Sequence, residues 1–196
     1  MKVAIDIDEV LAELLQGMLD HHQQVYGYTK ELLEFSTYTW QDHLPNMTFE
    51  LFTDLINNHP NKIKPKLGAI QAVAKINSPI AITARWKQIS SQTKVWVSEY
   101  FPNIKEIHYI NCKENGRIIE KGDLAKKLGM DVLIEDQPKY AQNALDNGIR
   151  VILMDTPWNK GFTHPLLTRV KNWPQALNVL NSLEKEHYSS STPQPL

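Results

Sequence analysis

Residues 2–9 read Lys-Val-Ala-Ile-Asp-Ile-Asp-Glu, an apolar run that ends in three acidic residues within four positions, Asp6, Asp8 and Glu9. A short run rich in Val and Ile, without polar alternation, is typical of a strand buried on both faces of a parallel sheet. Aspartate is depleted in strands, and a buried carboxylate costs free energy unless a partner pairs with it. This stretch therefore predicts a buried first strand whose carboxyl end carries acids that must face a partner.

Four further short runs have the same character, and helical patterns alternate with them. The predicted strands are residues 2–7, 80–83, 107–110, 131–134 and 150–154. The predicted helices between them are residues 87–100, 121–128 and 138–146. Strands and helices that alternate along a chain are typical of an α/β fold, so we expect a doubly wound, mostly parallel sheet.

The alternation is interrupted after the first strand. Residues 11–76 contain no convincing strand. Apolar residues recur there at helical spacing in three segments, 11–26, 49–56 and 67–76. We therefore expect a small helical cap at residues 11–76, inserted into an α/β core made of residues 1–10 and 77–188.

Composition and charge exclude several classes of protein. The 196 residues are 42% hydrophobic, which suits one domain with a core. A net charge of -1 argues against a partner that is a nucleic-acid polymer. No apolar run reaches about 18 residues, so no membrane span is predicted. The lone cysteine, Cys112, and a first segment unlike a signal peptide indicate a reducing, cytoplasmic location. The sequence does not indicate an oligomeric state.

Two further expectations concern polar segments. His21 and His22 are expected on the surface of the first helix, and no spacing of His or Cys suggests zinc. Residues 189–196 are polar and contain proline, and we expect them to be a disordered tail.

Two acidic pairs follow predicted strands. Asp6 and Asp8 end the first strand on one face, and Glu135 and Asp136 end the fourth. Ligands of open α/β sheets bind beyond the carboxyl ends of the strands, and carboxylates this close repel each other unless a cation lies between them. Either pair alone could instead cap a helix or lie in a solvated loop. Together they predict a hard divalent cation, Mg²⁺.

Groups suited to an anion lie at comparable positions. Thr83 ends the second strand, Arg85 follows two residues later, and Lys121 begins a predicted helix. A hydroxyl, a guanidinium and an ammonium group can all bind phosphate oxygens. Taken singly, Thr83 could be a helix cap and Lys121 a surface residue. Their placement at strand ends beside the acids favours a phosphate site.

This order of groups resembles the haloacid dehalogenase-like (HAD) superfamily of phosphotransferases. Residues 6–10 fit its first motif, D-x-D-x-[TV], and Thr83, Lys121 and Glu135-Asp136 are similar to its second, third and fourth motifs. The resemblance implies a HAD-like Rossmannoid core with a helical cap after the first strand.

A narrower resemblance, to the 5'(3')-deoxyribonucleotidase family, rests on Asp155-Thr156-Pro157-Trp158-Asn159 and on residues 169–173. Three features depart from that pattern. Glycine is frequent where this chain has Glu9, the fourth motif has Glu135 in place of aspartate, and Arg85 is present in some members only. Two other lysines, Lys126 and Lys127, compete with Lys121 for the third motif.

The resemblance implies a Mg²⁺-dependent phosphomonoesterase acting on nucleoside monophosphates, with deoxyribonucleotides favoured. Asp6 would form an aspartyl-phosphate, and Asp8 would act as acid and base. Asp6, Asp8 and Asp136 would hold the metal, and the three anion-binding groups would hold the phosphate. The alternatives are a phosphatase of sugar phosphates or other small metabolites, and a non-catalytic protein that binds a phosphorylated ligand.

Aromatic residues predict where the rest of a substrate binds. Phe35 and Trp40 of the cap, and Trp158 after the fifth strand, are candidate lining residues of a substrate pocket. The competing interpretation for the cap aromatics is that they form its own small core.

Overall fold

The computed structural model describes residues 1–110, 113–114 and 117–191. Its strands are β1 (Val3–Ile5), β2 (Ile80–Thr83), β3 (Ile107–Tyr109), β4 (Lys113–Glu114), β5 (Arg117–Ile118), β6 (Val132–Glu135), β7 (Arg150–Met154) and β8 (Leu167–Val170). Its helices are α1 (Leu14–Tyr26), α2 (Phe49–Asn58), α3 (Ala69–Val73), α4 (Ser90–Tyr100), α5 (Lys121–Lys127), α6 (Pro138–Asp146) and α7 (Trp173–Ser191). Cys112 lies outside the described residues.

Six strands form one parallel sheet in the order β3-β2-β1-β6-β7-β8, and β4 and β5 form a separate antiparallel pair. Strand β1 lies between β2 and β6, with Ile5 opposite both Ala81 and Ile134. The carboxyl ends of three central strands therefore meet at one edge of the sheet, which is where α/β folds bind ligands. The predicted α/β fold with a mostly parallel sheet is confirmed.

Both faces of the sheet are buried. Val3 and Ile5 belong to an apolar cluster on one face, whereas Ala4 belongs to a second cluster on the other face. Successive side chains of a strand point to opposite faces, so a strand covered on both faces is apolar at every position. This burial explains why the predicted strands lack polar alternation.

The segment between β1 and β2 contains helices and no strand of either sheet. Leu15 of α1 and Leu55 of α2 are fully buried in the same apolar cluster as Ile5. Helix α3 packs against α7, beside the sheet. The apolar core is thus continuous from the helical segment to the sheet, and the division into a cap and a core at residues 11 and 76 stays a prediction.

The structure adds elements that the sequence did not reveal. β8 lies at the edge of the sheet beside β7, so Thr168 and Arg169 are tolerated in it and weaken its apolar signal. Helix α7 continues through Ser191, so it includes the first three residues of the predicted tail. Residues 192–196 lie outside the described part of the chain. No helix of the described residues is both long enough and apolar enough to span a membrane.

Gly122 allows α5 to approach α6 closely. A Cβ atom at this position would lie 2.4 Å from both Asn143 O and Ala144 N, which is far inside van der Waals contact. The Gly122 amide also donates a hydrogen bond of 2.6 Å to Asn143 Oδ1. Because Lys121 precedes this glycine as the first residue of α5, the close contact fixes where the lysine enters the site.

Candidate active site

A buried lysine lies at the centre of the site. The Lys121 side chain is fully buried, with its Nζ 2.7 Å from Glu135 Oε2 and 2.9 Å from Asp6 Oδ1. A buried ammonium group is costly unless it is paired. Burial lowers the pKa of Lys121, but these two carboxylates more than offset that effect and raise it above its usual value. Lys126 and Lys127 are exposed in the last turn of α5, so only Lys121 of the three reaches the acids.

Three carboxylates form a cluster that fits a divalent cation. One oxygen from each of Asp6, Glu135 and Asp136 lies within 4.8 Å of the others. Asp6 Oδ1 and Asp136 Oδ1 are buried and accept no well-aligned hydrogen bond from the described residues. Asp6 Oδ1 does lie within ion-pair distance of Lys121 Nζ. Asp136 Oδ1 has no such partner, and a buried carboxylate oxygen without a donor is a ligand suited to a hard cation, so the cluster fits a divalent metal ion.

The pKa values of two acids of this cluster, Asp6 and Asp136, are raised far above their usual range. Burial, followed by the charges of Glu135 and Asp8, raises the pKa of Asp6 to about 8, even though Lys121 opposes the shift. Burial likewise raises the pKa of Asp136 well above its usual value, with Glu135 and Asp6 adding to the effect. Lys121 alone therefore does not balance the negative charge, which is a second reason why a bound cation fits here.

The Asp8 carboxylate binds Arg85 and lies outside this cluster. Arg85 Nε and Nη2 lie 2.9 Å and 2.7 Å from Asp8 Oδ1. The guanidinium is almost fully buried, and its Nη1 donates to Thr93 Oγ1 at 3.3 Å. Arg85 was predicted to bind phosphate and Asp8 to bind metal, but the structure pairs these two side chains with each other because a buried guanidinium needs a carboxylate partner.

Thr83 lies beside this pair at the end of β2. Its side chain is fully buried, and its Oγ1 accepts a hydrogen bond of 3.1 Å from the Arg85 amide. The next helical turn begins only at Lys87, so Thr83 does not cap it. The structure therefore brings Thr83 to the same edge of the sheet as Asp6 and Lys121, as the strand order requires.

The extra acid of the first motif faces away from the site. Glu9 is buried and has a left-handed backbone, with φ 59°. Its carboxylate accepts hydrogen bonds from the Leu15 amide at 2.6 Å and from Lys66 Nζ at 2.8 Å. Burial raises the pKa of Glu9, although Lys66 opposes that effect. Glu9 thus joins β1 to the start of α1 and does not line the cavity beside Asp6.

Two substitutions of Glu9 separate the free-energy cost of its left-handed backbone conformation from the cost of losing its side-chain contacts. Glu9→Ala and Glu9→Gly both lose the bonds to Lys66 and Leu15, but only glycine adopts a positive φ without a steric cost. We expect both variants to be less stable than the parent, and the alanine variant to be less stable than the glycine variant by about 1 kcal/mol. Urea denaturation measures the difference, and an alanine variant at least as stable as the glycine variant would contradict the backbone argument.

An aromatic cavity of about 350 Å³ opens beside Asp6 and Asp8. Trp40, Phe49 and Trp86 line it, and the rings of Phe49 and Trp86 lie 5.1 Å apart between centroids. Both of these rings are more than 40% exposed. Large apolar side chains that stay exposed around a cavity are typical of a binding site.

Sequence reasoning found some of these lining residues and missed others. Trp40 lines the cavity as predicted, while Trp86 was missed, although its place three residues after Thr83 could have indicated it. Phe35 is a correction, because it is fully buried in the core, 4.8 Å from the ring of His43, and does not line the cavity. Trp158 contacts the site differently from the prediction, since its Nε1 donates to Asp136 Oδ2 at 2.8 Å.

The two histidines of α1 are also a correction, since both are buried. His21 Nε2 lies 2.7 Å from Asp54 Oδ2, and Lys62 Nζ lies 3.0 Å from His21 Nδ1. With the lysine donating to Nδ1, the proton of a neutral ring is on Nε2 and is donated to Asp54. His21, Asp54 and His59 lie close enough together to suggest a metal site, but this bond leaves no lone pair on His21 Nε2 for an ion.

Comparisons with known proteins identify a family for this chain and solved structures of similar fold. A family model described as "5' nucleotidase, deoxy (Pyrimidine), cytosolic type C protein" matches residues 1–185. A haloacid dehalogenase-like protein of unknown function from Agrobacterium tumefaciens has a TM-score of 0.65 at 16% identity, over 93% of this chain and 98% of that one. A HAD family hydrolase from Deinococcus radiodurans, with bound phosphate and sodium, has a TM-score of 0.64 at 18% identity, over 92% of this chain and 95% of that one.

A haloacid dehalogenase-like family hydrolase from Xanthomonas campestris has a TM-score of 0.62 at 14% identity, over 95% of this chain and 96% of that one. At such identities these likenesses support the fold alone. A comparison with curated proteins gives no significant match.

Proposed function

The chain belongs to the family described as 5' nucleotidase, deoxy (pyrimidine), cytosolic type C, and from this premise we propose that it is a Mg²⁺-dependent phosphatase of nucleoside monophosphates, with deoxyribonucleotides favoured. Its wider family is that of the HAD-like phosphatases. One observation supports the proposal most: the buried cluster of Asp6, Lys121, Glu135 and Asp136 borders an aromatic cavity of about 350 Å³. That volume is within the range of small-ligand sites.

We propose that Asp6 and Asp136, with the main-chain carbonyl of Asp8, hold the metal ion. When bound, Mg²⁺ supplies positive charge that offsets the charge of a transferring phosphoryl group. Asp136 Oδ1, a buried oxygen that accepts no hydrogen bond from the described residues, supports this assignment. The phosphate and sodium bound to the hydrolase from Deinococcus radiodurans are further support by analogy.

The chemical steps belong to the two aspartates of the first motif. Asp6 would attack phosphorus to form an aspartyl-phosphate, while the bond from phosphorus to the ester oxygen breaks and Asp8 gives that oxygen a proton. Asp8 would then take a proton from the water that attacks the aspartyl-phosphate, which releases phosphate and regenerates Asp6. Arg85 would hold the Asp8 side chain in position for both proton transfers through its hydrogen bond of 2.7 Å to Asp8 Oδ1.

Two residues, Lys121 and Thr83, would hold the phosphoryl oxygens while these bonds change. Lys121 lies beside Asp6 and is already oriented by Glu135. Thr83 supplies a hydroxyl at the end of β2. Positioning and charge neutralisation account for most catalysis in phosphoryl transfer, so a preorganised lysine is a large contribution. The family description also supports a cytosolic location, which we propose for this chain.

The aromatic wall supports a substrate with a planar base. Phe49 and Trp86 are exposed and tilted toward each other at 56°, which leaves apolar ring faces at the cavity. Sugar phosphates lack an aromatic group and would leave these faces in contact with water. A nucleobase buries them, which favours nucleotides over sugar phosphates.

A substrate panel tests the proposal. Phosphate release is measured from deoxyribonucleoside and ribonucleoside monophosphates and from sugar phosphates, each with Mg²⁺ or with EDTA. We expect release that requires Mg²⁺, with a deoxyribonucleoside monophosphate giving the highest kcat/KM. A sugar phosphate as the best substrate would overturn the substrate class. No release from any compound by the folded protein would overturn the catalytic proposal and favour simple binding of a phosphorylated ligand.

A further inference from the structure

We propose that Trp158 is a positioning residue for the metal site, whose indole N–H holds one oxygen of Asp136 so that the other oxygen faces the carboxylate cluster. This inference rests on the proposed metal-dependent function and names a residue outside the metal-binding motifs. It assigns Trp158 to the metal ligand Asp136 and not to the wall of the substrate cavity.

The two oxygens of Asp136 have different surroundings. Oδ2 accepts the hydrogen bond from Trp158 Nε1 at 2.8 Å, whereas Oδ1 is buried and accepts no bond from the described residues. Asp136 is fully buried, so bulk solvent reaches neither oxygen. A neutral donor on one oxygen fixes the torsion of the carboxylate and leaves the second oxygen as the one available to a cation.

The turn that carries Trp158 contacts Asp136 through a second residue, Asn159. Asn159 Nδ2 donates to the main-chain oxygens of Asp136 and Met154, at 2.7 Å each. Arg169 Nη2 donates to Asn159 O at 2.7 Å, and its Nη1 forms an ion pair of 2.9 Å with Asp155. Asn159 thus fixes the backbone of Asp136 and Trp158 fixes its side chain. A rigid turn of this kind can hold a ligand to the precision that a metal site needs.

The indole ring is held on its other side by the helical segment. The rings of Trp158 and Tyr38 meet edge to face, with centroids 5.3 Å apart and planes at 67°. Tyr38 lines the substrate cavity. Phenylalanine at position 158 would keep an aromatic ring and remove the N–H donor together with part of the indole, so Trp158→Phe tests the hydrogen bond to Asp136 when it is compared with another Trp→Phe variant.

Removal of this donor should weaken metal binding without loss of the fold. The Asp136 carboxylate would then turn more freely, and Oδ1 would spend less time facing Asp6. Partners of metal ligands typically contribute about 10- to 100-fold to metal affinity. We expect Trp158→Phe to raise the Kd for a divalent cation by about tenfold or more.

The test uses Mn²⁺ alone, which prefers the same oxygen ligands as Mg²⁺ and whose free concentration is read by electron paramagnetic resonance. Trp96→Phe is the matched control, because its Nε1 donates to the Ile63 carbonyl at 2.9 Å and to no carboxylate of the cluster. We expect weaker Mn²⁺ binding by Trp158→Phe and a change of less than about twofold in the control. Binding by Trp158→Phe at the parent's affinity, or no Mn²⁺ binding by the parent, would overturn the inference.

A second measurement follows the parent protein itself, and substitutions serve only to assign its signals. The chain has five tryptophans, so its indole N–H groups give five NMR signals. Addition of Mg²⁺ should shift the Trp158 signal most, and single Trp→Phe variants of the other four identify it by elimination. A Trp158 signal that Mg²⁺ leaves unmoved would contradict the inference. Because both measurements omit substrate, a protein that binds metal in this way but releases no phosphate would refute the proposed function alone.

Discussion

Asp6→Asn should abolish phosphate release, with kcat lower by at least about a thousandfold, because the amide keeps the shape of the side chain and loses the nucleophile. The expected loss of activity is large because the other residues of the site act by positioning and charge around the attacking carboxylate oxygen of Asp6. Asp6 is buried between Lys121 and the other acids, at the carboxyl end of the central strand β1. Phosphate release under saturating substrate and Mg²⁺ measures the effect.

Glu9→Gln is the matched control for this substitution. It changes a neighbouring buried acid in the same way, but Glu9 faces Lys66 and does not line the cavity. We expect the control to retain kcat within a few-fold of the parent. If Asp6→Asn kept more than about a tenth of the parent activity, Asp6 would not be the nucleophile, since loss of a nucleophile costs far more.

Lys121→Met should destabilise the fold by about 3–5 kcal/mol, because removal of one partner of a buried ion pair leaves the other partners uncompensated. Here two carboxylates, Asp6 and Glu135, lose their shared cation at 2.9 Å and 2.7 Å. Methionine fills a similar volume, so the loss reports charge more than packing. Urea denaturation without metal gives the free energy of unfolding.

Two variants control this measurement. Lys126→Met changes an exposed lysine of the same helix, and we expect its stability to stay within about 0.5 kcal/mol of the parent. Addition of Glu135→Gln to Lys121→Met removes one uncompensated charge and should recover part of the loss. If Lys121→Met cost less than about 1 kcal/mol, the account of Lys121 as the counter-charge of a buried acidic cluster would be wrong.

The sheet made the central part of the site predictable. In a parallel sheet, side chains at the carboxyl ends of neighbouring strands meet, so Asp6, Thr83 and Asp136 could be placed together from strand positions alone. Lys121 could be preferred over Lys126 for the same reason, since the first residue of a helix that precedes a central strand lies near that edge. These inferences use short-range sequence patterns and one topological rule.

Contacts between distant segments were not predictable. Nothing in the sequence indicated that Arg85 binds Asp8, 77 residues away, or that Trp158 binds Asp136. Phe35 and His22 show a related failure. Residue type suggested that Phe35 lines a pocket and that His22 lies on the surface, but both side chains are buried against neighbouring segments. Tertiary packing determines such placements, and a single sequence carries little record of it.

The most direct test of the central claim is to look for the aspartyl-phosphate itself. The parent and Asp6→Asn are mixed with a deoxyribonucleoside monophosphate and Mg²⁺, quenched in acid during turnover, and analysed by mass spectrometry of the peptide that contains residue 6. We predict one added phosphoryl group on that peptide of the parent, absent from the variant and from a sample with EDTA. Rapid phosphate release by the parent with no phosphoryl group on Asp6 at any quench time would contradict the account.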